Sequence, residues 1–167
     1  MNRKKLFFPD FFYKAFYEIS PRFLKENGFK TVFLDVDNTL TEHNCPDPLE
    51  QTAKWLEDLK EEGLTAVLFS NNSEQRVSVF AEVLGLPYIH RANKPLRRKV
   101  VRFLRNKNIA RGEACLIGDQ VFTDVLCGSL TGIKSFLVDP VSVESKSLFF
   151  KIKRGLEKFA LRKYEKE

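Results

Sequence analysis

Apolar residues gather in five short, nearly unbroken runs: TVFLD (31–35), TAVLFS (65–70), LPYIH (86–90), ACLIGD (114–119) and IKSFLVD (133–139). A strand with one wet face alternates in character, whereas a strand covered on both faces reads as a continuous apolar run. The runs therefore predict parallel strands sandwiched between helical layers. Helical spacing fills the intervals, at about 48–62, 73–84, 95–108 and 121–130. In the first, Leu49, Ala53, Leu56 and Leu59 recur three or four apart and Gly63 supplies the stop. The second opens on Ser73 as a cap and closes on Gly85, and Trp55 and Phe80 read as core residues. Strand–helix alternation of this kind predicts an α/β chain: a three-layer Rossmann-like fold with a central parallel five-stranded sheet and right-handed crossovers.

Polar residues sit at the ends of those runs. The first ends in Asp35-Val36-Asp37-Asn38-Thr39 and the second in Ser70-Asn71-Asn72. Lys94-Pro95 follows the third, and Gly118-Asp119 closes the fourth with Asp124 shortly after. In a doubly wound sheet, ligands bind in the crevice outside the carboxyl ends of the strands. A turn would account for Asp and Asn after a strand, but two carboxylates two positions apart repel each other. A cation between them removes that conflict. D-x-D alone is common; four polar stations in this order, each at a strand end, are specific.

On these residues the chain resembles the haloacid dehalogenase (HAD) superfamily, whose four motifs are D-x-D-x-T/V, S/T, K and G-D-x(3–4)-D. The stretches DVDNTL (35–40), LFSNN with EQRV (68–77), LGLPYIHRANKP (84–95) and IGDQVFTDVLCG (117–128) narrow the resemblance. They are similar to subfamily IIIA phosphatases of the YqeG type, related to phosphatidylglycerophosphate phosphatases. The resemblance implies that Asp35 is the nucleophile that forms an aspartyl-phosphate, and that Asp37 protonates the leaving alkoxide and then activates water. To do so near neutral pH, Asp37 would have to be raised by burial and by the neighbouring charge. It further implies a Mg²⁺ ion held by Asp35, a main-chain carbonyl at Asp37, and Asp119, with Asp124 in support, orienting a metal water or Lys94. Ser70 and the amide of Asn71 would hold phosphoryl oxygens, Lys94 would supply fixed positive charge, and Thr39 would fix the turn after the first motif. An acid at position 37 argues for a phosphatase rather than a dehalogenase or a cation pump.

Spacing bears on substrate size. Only 24 positions separate Ser70 from Lys94, and a single helix fits between Thr39 and the second strand. An independent lid domain wants about 50 residues or more, so no large cap domain is expected and the site should be open. An open site admits a large or membrane-held substrate.

Charge separates the chain into three parts. Residues 1–30 carry seven Lys/Arg against three Asp/Glu, residues 31–145 thirteen against sixteen, and residues 146–167 eight against three. The expected organisation is an aromatic, basic N-terminal segment (1–30) packed on the core or a membrane surface, a HAD-like core (31–145), and a basic amphipathic C-terminal helix (146–167). Both basic ends suggest an anionic partner, membrane or nucleic acid. No apolar run approaches the ~20 residues of a membrane span, and no signal-peptide pattern is expected from MNRKKLFFPDFFYK. Cys45, Cys115 and Cys127 lack metal or disulfide spacing, so a reducing, cytoplasmic setting is expected, with peripheral contact on the inner membrane face as a further expectation. His43 and His90 lie in separate loops and read as structural.

The reading that follows is a Mg²⁺-dependent phosphomonoester hydrolase, with phosphatidylglycerophosphate implied by the resemblance. Two alternatives stay open: the same chemistry on a soluble sugar, nucleotide or protein phosphate, and a nucleic-acid or ribosome-associated binding protein. Specific nucleic-acid binding is not expected.

Overall fold

The structure is a computed structural model that describes residues 6–42, 45 and 47–141. Six strands form one all-parallel sheet: β1 (Phe11–Tyr13), β2 (Thr31–Leu34), β3 (Thr65–Phe69), β4 (Tyr88–Ile89), β5 (Ala114–Gly118) and β6 (Lys134–Val138). Their spatial order is β1-β6-β5-β2-β3-β4. The predicted five strands are all present, and β1 is a sixth, paired parallel to β6 through Phe11↔Phe136 and Tyr13↔Val138. Three aromatic residues following Pro-Asp give too short a run to register as a strand by pattern. Stacking explains why they pair: the Phe11 ring lies 4.5 Å from that of Phe136.

The continuous apolar runs have the cause inferred for them. On one face, Val32, Leu34, Leu68, Cys115, Ile117 and Phe136 point into one core; on the other, Phe33, Val67, Phe69, Ala114 and Leu116 point into a second. Strand side chains alternate between faces, so both cores draw on the same short runs. The first core is covered by α1 (Pro21–Glu26), α2 (Glu50–Glu61) and α3 (Glu74–Leu84). Trp55 and Phe80 are buried there, and the Trp55 indole N–H donates to the Ile19 carbonyl at 2.8 Å. The second core is covered by α4 (Arg98–Asn106) and α5 (Leu126–Thr131). Helices on both faces make the three layers.

Several boundaries differ from the sequence pattern. Ser73 stands at the N-cap of α3 but its side chain makes no capping bond, while Ser20 caps α1 by accepting from the Phe23 N–H. The 121–130 segment opens as a π-helical turn (Val121–Val125) before α5 begins. Gly63 and Gly85 end α2 and α3 with φ of 77° and 64°, the left-handed region that glycine enters without penalty. The predicted helix at 146–167 and His43 lie outside the described residues. Among those described, no helix is long and apolar enough to cross a membrane.

Strand order fixes where a ligand can sit. The chain moves from β2 outward to β3 and β4, then returns to the other side of β2 to form β5 and β6. The switch in direction lies between β2 and β5, where the crossovers diverge and leave a crevice at the strands' carboxyl ends. Asp35 follows β2 there, and Asp119 follows β5. A hydrogen bond from the Asp35 N–H to the Ile117 carbonyl, 2.9 Å, carries the pairing of the two strands up to that crevice.

Candidate active site

The crevice collects side chains from three strand ends. Lys94 reaches in from the loop after β4, and its Nζ lies 2.6 Å from Asp35 Oδ1 and 2.6 Å from Asp124 Oδ1. All three side chains are buried, Lys94 to 2 % exposure. The ammonium also lies 5.6 Å from the centre of the Phe69 ring, within cation–π range. Asp124 is held from both sides, since its Oδ2 accepts from the Gln120 N–H at 3.1 Å and from the Thr123 hydroxyl at 3.3 Å. This close approach requires Gly118: a Cβ at that position would stand 2.4 Å from Asp124 Cγ.

Asp119 completes the group. Each of Asp35, Asp119 and Asp124 offers a carboxylate oxygen, and these oxygens all lie within 4.8 Å of one another. Three carboxylates face one ammonium, leaving an excess of two negative charges when all are ionised. Burial pushes the Asp35 carboxyl up to about 7, with Asp124 adding to the effect against the pull of Lys94. Burial likewise pushes Asp119 up to about 8, with Asp35 and Asp124 adding. For Lys94, burial alone would lower the pKa, but Asp124 and Asp35 outweigh it and keep the ammonium protonated.

Asp119 Oδ1 is buried without a hydrogen-bond partner among the described residues. A buried carboxylate oxygen without a donor carries a desolvation cost, which a cation would offset. An all-oxygen donor set, two surplus negative charges and an orphaned oxygen together fit a hard divalent cation.

The remaining predicted residues surround this group. Ser70 is buried after β3, and its Oγ accepts from the Asn72 N–H at 3.2 Å. Asn71 brackets the Lys94 backbone: its Oδ1 accepts from the Lys94 N–H at 2.7 Å and its Nδ2 donates to the Lys94 carbonyl at 3.3 Å. The side chain of Asn71 thus holds Lys94 in register with β3. Thr39 is buried in the turn after β2, with its Oγ1 unpartnered among the described residues. That turn is set by Asn38 at φ 59°, a conformation asparagine tolerates, and by the Val36 carbonyl, which accepts from the Leu40 N–H at 2.9 Å.

Asp37 faces elsewhere. Its Oδ1 accepts from Arg76 Nη2 at 2.6 Å, and its Oδ2 accepts from the side-chain amide of Asn72. Its carboxylate therefore lies outside the three-carboxylate group, so only its main chain is left for the metal-binding role proposed for position 37. Arg76 Nη2 also donates to the Cys45 carbonyl at 3.1 Å, tying the loop after β2 to the first turn of α3.

Arg76 and Asn72 were not singled out from sequence. One signal existed: a cation in the first turn of a helix opposes the helix dipole and needs a compensating anion. His90 takes no part in the group. Its Nε2 lies 3.8 Å from Glu74, and its carbonyl accepts from Lys99. The three cysteines are free; Cys115 is buried in the first core and Cys127 in the second.

Comparison with known proteins bears on this geometry. The family model for mitochondrial PGP phosphatase matches residues 1–142. The probable phosphatase YqeG of Bacillus subtilis (strain 168) is 41% identical over 139 residues, covering 83% of this chain and 81% of that protein. Among solved structures, an uncharacterized protein from Listeria monocytogenes serotype 4b superposes with a TM-score of 0.57 at 15% identity, over 75% of this chain and 99% of its own. The cobalt-bound deoxy-D-mannose-octulosonate 8-phosphate phosphatase of Haemophilus influenzae gives a TM-score of 0.52 at 14% identity, over 79% and 89%. At such identities the structures speak to the fold alone. With the sequence match spanning most of the chain, the protein belongs to the mitochondrial PGP phosphatase family and is a phosphatase of the HAD type.

Proposed function

We propose that the protein is a Mg²⁺-dependent phosphomonoester hydrolase that works through an aspartyl-phosphate on Asp35, with phosphatidylglycerophosphate as its substrate. The observation that carries the chemistry is the buried Asp35–Lys94–Asp124 bridge beside the orphaned oxygen of Asp119. Asp35, Asp119 and the main-chain carbonyl of Asp37 would hold the ion. When bound, Mg²⁺ there supplies positive charge against the phosphoryl oxygens.

The chain's own groups do the rest. An Asp35 carboxylate oxygen attacks phosphorus, and the bond from phosphorus to the leaving oxygen breaks with its electron pair remaining on that oxygen. Asp37 passes its proton to the leaving oxygen. Water then attacks the Asp35 phosphate while Asp37 takes back a proton, and the electron pair of the broken bond returns to Asp35. Lys94 holds the attacking carboxylate in place through its 2.6 Å contact and meets the negative charge that builds up. Ser70 and the main-chain amide of Asn71 are the phosphoryl-oxygen donors in this reading.

Two features support a lipid substrate. Single elements, α2 before β3 and α3 with β4 before Lys94, fill the intervals where a lid could stand, so the mouth is open. Between Val83 and Gly112 the chain carries nine Lys/Arg and no Asp/Glu. Within that stretch Arg98, Arg102 and Arg105 lie along one exposed side of α4, and none makes an ion pair among the described residues. Unpaired cations beside the catalytic lysine suit an anionic membrane partner.

The test is phosphate release across lipid and soluble monoesters, with Mg²⁺ and with chelator. Preferred release from phosphatidylglycerophosphate, lost in chelator, is the expected result. Faster turnover of a soluble sugar or nucleotide phosphate would overturn the substrate, and release that survives chelation would overturn the metal.

A further inference from the structure

Asp37 is held by two donors from one short stretch. Arg76 Nη2 takes Oδ1 at 2.6 Å and the Asn72 amide takes Oδ2, so both oxygens of the carboxyl group are fixed. Asn72 directly follows Ser70-Asn71, and Arg76 lies in the first turn of α3. Arg76 is itself anchored by donating to the Cys45 carbonyl at 3.1 Å, and only 23 % of its side chain is exposed. With a donor on each oxygen, the plane of the carboxyl group is set.

We infer that Arg76, assisted by Asn72, is the positioning residue for proton transfer by Asp37. The inference rests on the role given to Asp37 above. During loss of the leaving group the proton passes from Asp37 to the leaving oxygen, and Asp37 becomes a carboxylate. Arg76 already stands at hydrogen-bond distance from that carboxylate, so the charge appears beside a preset partner. A group left to rotate about its χ angles would spend most of its time misdirected, and misplacement of a reacting group is costly.

The discriminating readout is leaving-group dependence. A p-nitrophenolate departs without a proton, whereas an alkoxide needs one. The quantity to compare is kcat/KM, which reports the steps up to departure of the leaving group, for Arg76→Ala, Arg76→Lys, Asn72→Ala and Asp37→Asn. Substrates are p-nitrophenyl phosphate and an alkyl phosphate monoester dispersed in detergent. Arg76→Ala should lose about a hundredfold on the alkyl ester, within the usual contribution of general acid catalysis, and less than about tenfold on the aryl ester. Arg76→Lys should recover part of the loss, and Asn72→Ala should show a smaller loss of the same kind.

Equal losses on both esters would overturn the inference and make Arg76 a structural or substrate-binding residue. If Asp37→Asn is leaving-group dependent and the folded Arg76→Lys and Asn72→Ala are not, the inference fails while the role of Asp37 stands. If Asp37→Asn itself shows no such dependence, the reading beneath the inference fails.

Discussion

The two aspartates of DVDN stand two residues apart, yet they occupy opposite settings. Asp35 belongs to a buried half of the site, where three carboxylates crowd one lysine and burial drives the acids upward. Asp37 belongs to a half-buried rim, where a guanidinium and an amide take its two oxygens. Strand alternation would put residues 35 and 37 on one face, but β2 ends at Leu34 and the chain turns at Asn38, φ 59°, which parts them. The buried half is crowded in negative charge, which a bound cation would offset. The rim is satisfied in charge and set in orientation.

The largest effect should come from Asp35, the proposed nucleophile. Asp35→Asn keeps the shape of the side chain and removes the attacking oxygen's charge, so turnover of any monoester should fall by at least about a thousandfold. Retained turnover would make the bridge to Lys94 structural. Next, Lys94→Met should cost roughly 10²–10³-fold in kcat, the range for losing one preset electrostatic donor. A loss confined to KM would mean that Lys94 only binds substrate.

A smaller effect, felt in stability, probes the crowding behind Asp124. Gly118→Ala puts a methyl group where Asp124 stands, 2.4 Å from its Cγ. Overpacking of that kind costs about 1–3 kcal/mol, and a thermal melt should register it together with reduced turnover. A wild-type melt would mean that Asp124 moves aside freely.

The smallest effect is a pH slope. Asp35 and Asp119 hold protons up to about 7 and about 8 in the folded chain, against a reference value of 3.8. Between that reference and those values the folded state binds more protons than the unfolded, so these two groups make stability fall as pH rises. The Tm of metal-free protein should drop across that window, and the drop should be shallower in Asp35→Asn/Asp119→Asn. Mg²⁺ should raise Tm more at about pH 8 than at about pH 5.5, since ion and proton compete for the same oxygens. Equal increments at both pH values would contradict the placement of those carboxyls at the ion.

The buried half was largely legible in the sequence, and the rim was not. A parallel strand covered on both faces must be apolar to its end, so the first polar residue after the run marks the crevice. Asp35, Ser70 and Asp119 announce themselves in this way, and Lys94 does so one loop later. Nothing comparable marks the rim. Arg76 precedes Val77, with Phe80 and Ala81 buried beyond it, and on a helical wheel it reads as one more solvated cation. Only the folding of α3 against the loop after β2 gives it Asp37 as a partner. β1 escaped for a related reason: its partner β6 lies more than a hundred residues away, and three aromatic residues carry no period of their own.

The division between the two halves can be tested by Mn²⁺ titration, followed by calorimetry, of the wild type, Asp119→Asn and Asp37→Asn. If the ion is held by the side chains of Asp35 and Asp119 and only by the main chain at position 37, Asp119→Asn should abolish tight binding and Asp37→Asn should retain it. The reverse pattern, binding lost with Asp37 and kept without the Asp119 carboxylate, would contradict the account.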